Sequence, residues 1–69
     1  MNPRQQRMAD WLIHAKGCRR RSWDYLRGAI EDAAAGRLVR AYRTHKLARQ
    51  SRKYAWDAIR SAKLERSMT

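Results

Sequence analysis

The chain has 69 residues, seventeen Lys and Arg against six Asp and Glu, and a formal net charge of +11, which allows one domain whose core is marginal without a second chain or a partner. At 43% hydrophobic with three Trp and three Tyr it is too apolar for a disordered tail. No apolar run approaches the roughly eighteen residues of a membrane span, and the first seven residues lack the apolar segment of a signal peptide, so a cytoplasmic protein with no membrane role is expected.

One Pro, three Gly and no run of alternating apolar and polar residues predict an all-α fold over residues 1–69. The form expected is a small helical bundle or helical hairpin with one long C-terminal helix, dimeric in its assembly. Asn2 and Pro3 read as a cap and first helical residue, and Met8, Trp11, Leu12, Ala15 and Cys18 follow on one face, giving a first helix over about 3–16. Gly17 ends it. Ser22, with Asp24 behind it, caps a second helix over 22–35 whose apolar face is Leu26, Ala29, Ile30 and Ala33. In a second topology the apolar stripe from Met8 to Ala33 stays in phase across Arg19, and the two helices are one rod.

Gly36 stops that segment, and nothing breaks a helix from 37 to 66. Leu38, Ala41, Tyr42, His45, Ala48, Ala55, Trp56 and Ile59 form its broad apolar face. At about 1.5 Å per residue it would span on the order of 45 Å, overhanging the shorter helices. Leu47, Tyr54 and Ala58 make a narrower stripe on its far side, and these three are the expected dimer interface, helix three against its copy.

Cations recur at every third position of this helix, at Arg37, Arg40, Arg43, Lys46, Arg49 and Arg52. Each step turns by about −60°, so the ladder winds around the helix and no flat partner touches all six. Arg37, Arg40 and Arg43 fall away from Tyr42, whereas Arg49 and Arg52 drift beside His45 and Trp56. Arg beside aromatics is enriched at binding hot spots, although long cationic stems also simply cover apolar surface. Arg19, Arg20 and Arg21 form a second cluster, read as a loop whose guanidinium groups suit carboxylates or phosphates. Trp11, Trp56 and Tyr42 sit at core spacing, whereas Tyr25 and Tyr54 fall off the main stripes as interface candidates.

Groups that would converge for catalysis are missing. His14 and Cys18 are four apart and share a helix face, but no CxxC or second His pair completes a zinc site. Cys18 alone cannot close an internal disulfide. The six carboxylates, Asp10, Asp24, Glu31, Asp32, Asp57 and Glu65, are outnumbered by cations and suit ion pairing, and no Gly-rich phosphate loop occurs. No enzyme, metal, cofactor or small-molecule substrate is expected. Two binding classes remain: nucleic acid, for which phosphates reward Arg-rich helices, and a protein-binding regulator using the same cations on an acidic patch or at a site where the partner itself would hold DNA. A helix-turn-helix around Gly36 does not fit, because the elbow is too tight and Asp32 stands where a small residue is needed. Exposed aromatics and the second apolar stripe favour the regulator, since phosphate binding needs neither.

In length, Arg and Ala bias, helical pattern and lack of a catalytic motif, the chain resembles the small early proteins of temperate phages that infect GC-rich bacteria. Arg37-Leu38-Val39-Arg40-Ala41-Tyr42-Arg43 and Arg19-Arg20-Arg21 are the segments where the resemblance would lie. Within that group it is most similar in type to the dimeric anti-activators of transposable phages, which silence LuxR-type quorum-sensing activators. The resemblance implies a stoichiometric inhibitor of an activator's DNA binding, with a pilus-assembly ATPase as a second target. The partner-binding residues expected are Arg19, Arg20, Arg21, Arg37, Arg40, Arg43, Arg49, Arg52 and Tyr54, and the partner is an acidic or DNA-binding host protein.

Overall fold

In a computed structural model that describes residues 2–67, the chain forms two antiparallel helices, α1 (Pro3–Ala34) and α2 (Leu38–Ser67), packed as a hairpin. The Asn2 side chain accepts a hydrogen bond from the Gln5 backbone N–H at 2.8 Å, and the Gln5 side chain accepts one from the Asn2 N–H at 3.2 Å. This reciprocal cap, with Pro3 behind it, starts α1 where the sequence places it.

Gly17 does not end the first helix. α1 continues through it and through Arg19-Arg20-Arg21, which are helical and not a loop, so the single rod held as the second topology is the one that forms. An interior glycine costs a helix only about 1 kcal/mol, which contact with α2 along the rod offsets. Ser22 is accordingly no cap; its hydroxyl donates across the hairpin to the Ala48 carbonyl at 2.9 Å. The two helices, of 32 and 30 residues, match in length, and the expected overhang of the C-terminal helix is absent.

Gly36, at φ +80°, closes α1. Its N–H donates to the Ala33 carbonyl at 3.0 Å and the Arg37 N–H to the Asp32 carbonyl at 2.8 Å, the paired bonds of a Schellman turn that needs a left-handed residue at this point. The Asp32 carboxylate then accepts from Arg37 Nε at 2.9 Å and faces Arg40 Nε at 3.6 Å, tying the end of α1 to the first turn of α2.

The seam between the helices is built from small side chains seven residues apart. On α2, Ala41, Ala48, Ala55 and Ala62 are buried, with Ser51 and Ala58 three residues behind two of them. On α1, Ala15 and Ala29 are buried at the matching spacing, with Cys18 and Asp32 beside them. A seven-residue period keeps one face turned to the partner helix along a supercoil. Small residues let the backbones approach closely: a methyl placed on Gly28 would already touch the Thr44 methyl at 3.6 Å. The largest fully buried side chain is Cys18.

Large side chains have no room in this seam, and the expected core is corrected accordingly. Trp11, Trp56 and Tyr42 are 39%, 60% and 70% exposed, standing on the flanks. Ala58, expected at a dimer interface, is buried at 1% within the hairpin itself. Tyr25, expected at an interface, is partly buried at the seam's edge. Among the described residues no helix is long and apolar enough to cross a membrane.

Candidate binding face

The seam divides the remaining surface into two flanks. On the first, Trp23 and Leu26 of α1 and Trp56 and Ile59 of α2 line a shallow groove of about 350 Å³, with Ser22, Ala55, Arg19 and Arg52 completing its lining. Both Trp side chains are 60% exposed. Leu12 and Ile59 continue the apolar surface towards one end of the rod, and Ile30, Tyr42 and Leu38, each more than half exposed, continue it towards the turn in the same heptad register.

Charge is partitioned between the flanks. In the heptad register none of the six carboxylates falls on the two rows that form the first flank, and none lines the groove. Asp32 and Glu65 lie along the seam's other edge, where Glu65 accepts from Arg7 Nε at 3.0 Å. Asp24 borders the adjoining depression between Arg20 and Arg27. Arg19 and Arg52 have no carboxylate partner among the described residues. Two guanidinium groups flanked by indoles, open to solvent and without a counter-charge, attract an anionic group that also offers apolar surface.

The other expected site residues do not form one surface. Arg20 points outward, while Arg21 donates from Nη2 to Cys18 Sγ at 3.2 Å, so the triple Arg is splayed in three directions by the helical turn. Arg37 and Arg40 are turned to Asp32. Arg43 and Arg49 share a depression on α2 with Lys46, Leu47, Lys53 and Tyr54; Arg49 falls on the heptad row of Tyr42 and Trp56, but Arg52 and not Arg49 lines the groove itself. The Tyr54 hydroxyl accepts from Gln50 Nε2 at 3.0 Å, and Leu47 and Tyr54 remain 43% and 49% exposed.

Of the groove's lining, Arg19 and Arg52 stood among the expected site residues, and Trp23, Leu26, Trp56 and Ile59 did not. The signal that would have found them is the spacing of Ala41, Ala48, Ala55 and Ala62, which assigns the seam to alanine and so displaces every neighbouring aromatic to a flank. His14 Nε2 lies 3.6 Å from Cys18 Sγ, and among the described residues no three His, Cys, Asp or Glu groups gather as metal ligands. Compared with known protein families, curated proteins and solved structures, the chain matches none.

Proposed function

We propose that the protein is a non-enzymatic regulator that docks its first flank on an acidic, partly apolar surface of a host protein and inhibits it by occupancy. The observation that supports this reading is the open Trp23 and Trp56 pair with Arg19 and Arg52 in the same groove, whose lining holds no carboxylate. Buried aromatic and Arg anchors dominate protein interfaces, and a charge of +11 speeds encounter with an acidic patch.

The resemblance to phage anti-activators supplies a LuxR-type activator as the candidate partner, with a pilus-assembly ATPase as a second. A DNA-reading surface is itself basic and repels a +11 chain, so inhibition of DNA binding runs through an acidic surface of the activator and not through its DNA groove. Self-association fits the second flank, where Leu47 and Tyr54 remain exposed and Leu47 also lines a depression with Asp24, Glu31, Asp32, Arg37 and Arg40, charges of both signs that two copies related by a two-fold axis can pair. The cations on the outer faces, Arg20, Arg27, Lys46 and Lys53, favour a second reading, sequence-tolerant binding to nucleic acid.

Titration against a LuxR-type activator and against mixed duplex and single-stranded DNA, each at rising salt, separates the two. A stoichiometric protein complex that survives moderate salt and is lost in Trp56→Ala supports the regulator. Micromolar DNA binding that falls steeply with salt, without such a complex, replaces it with the nucleic-acid reading.

A further inference from the structure

Within that protein-binding reading, we infer that the groove receives a single amphipathic α-helix of the partner, laid along the hairpin as the third helix of a bundle, with carboxylates at the middle of its apolar stripe. From Leu12 to Ile30 the apolar flank of α1 extends about 27 Å at the helical rise, which fits a helix of roughly eighteen residues. In the register set by Arg7 opposite Glu65 and Gly28 beside Thr44, Arg19 and Arg52 stand at one level near the middle of the rod. Trp56 and Ile59 continue the flank on one side of that level, and Trp23 and Leu26 on the other. The occupant must therefore be apolar at both ends and anionic at its centre.

The area left open is of the right size. A folded chain of 8.2 kDa ordinarily exposes about 4,500 Å², whereas this hairpin exposes 5788 Å². The excess exceeds the roughly 800 Å² that one partner contributes to a stable interface.

Charge selects among occupants. A second copy paired face to face about a two-fold axis would bring four guanidinium groups into one buried layer with no carboxylate to meet them. A membrane surface would draw the cations to the rim of the apolar face, not to its centre. Nucleic acid would leave Leu12, Leu26, Ile30 and Ile59 without a role, since these neither stack on bases nor bind phosphate.

The test uses two synthetic amphipathic peptides of about eighteen residues with the same Leu and Ala stripe, one bearing Glu at the middle of the stripe and one bearing Lys there, followed through tryptophan emission. The Glu peptide binds one per chain with a blue shift, and the Lys peptide does not bind. Arg19→Glu with Arg52→Glu weakens the Glu peptide by about tenfold or more, while Lys53→Glu with Arg60→Glu, both exposed and outside the groove, serves as the charge-matched control and leaves affinity within about twofold. Circular dichroism melting of each variant separates lost binding from lost fold. Absence of Glu-peptide binding, or equal binding by the groove variant and the control, overturns the inference. A host-protein complex that persists in the groove variant sinks the groove and leaves the regulator standing; DNA binding with no protein complex removes both.

Discussion

Ala55 is 2% exposed and the adjacent Trp56 is 60% exposed, so substitutions at these neighbours act on different properties. Enlarging a seam alanine drives the backbones apart: Ala55→Leu is expected to cost about 1–3 kcal/mol in urea denaturation. Trp56→Ala removes a side chain with little packing around it and is expected to cost under about 1 kcal/mol while abolishing partner binding. A larger loss of stability in Trp56→Ala than in Ala55→Leu would return tryptophan to the core. Asp32, 8% exposed, holds Arg37 and Arg40 at the turn, and Asp32→Ala should cost on the order of 1 kcal/mol, an effect that added salt diminishes because both guanidinium groups are solvated.

At the scale of the helix, Gly17 and Gly36 predict opposite outcomes. Nothing lies within 4 Å of a methyl built on Gly17, so Gly17→Ala should raise stability by about 0.5–1 kcal/mol. Gly36 holds φ +80°, and Gly36→Ala should lower it by about 1 kcal/mol through strain in the turn. Thermal melts of both variants check the signs; a destabilising Gly17→Ala would mean that α1 does bend or end there. The ends of the hairpin were legible in the sequence because Asn2-Pro3 and Gly36 are local signals that act through backbone chemistry. The middle was not, because a glycine within a helix and a glycine after one look alike unless the apolar phase across it is given more weight. The faces differ from the expected ones for a different reason. Hydrophobic size guides burial where helices are spaced by Leu-sized residues and fails where alanine at seven-residue intervals lets them close up. Arg52 beside Trp56 was legible because their relative phase on one helix does not depend on which face is buried.

The whole molecule is a rod of 52 × 16 × 10 Å whose interior consists mainly of methyl groups. Burying a methylene-sized group contributes about 0.8 kcal/mol, against roughly 1.5–3 for a large aliphatic or aromatic side chain, so the seam specifies the hairpin while supplying little of the stability a larger core would give. The melting temperature should rise with protein concentration if Leu47 and Tyr54 pair two copies, or with added partner at fixed concentration if one covers the first flank. A melt that responds to neither would mean that the hairpin is self-sufficient and its apolar flanks are idle. The central claim, that Trp23 and Trp56 stand open on a cationic flank of the free chain, is tested most directly by quenching their fluorescence in Trp11→Phe at dilutions where the chain is monomeric. Iodide, concentrated by Arg19 and Arg52, should quench strongly and caesium weakly, with both effects suppressed by an acidic partner. Emission that is blue-shifted and shielded from both ions in the free chain would contradict the account.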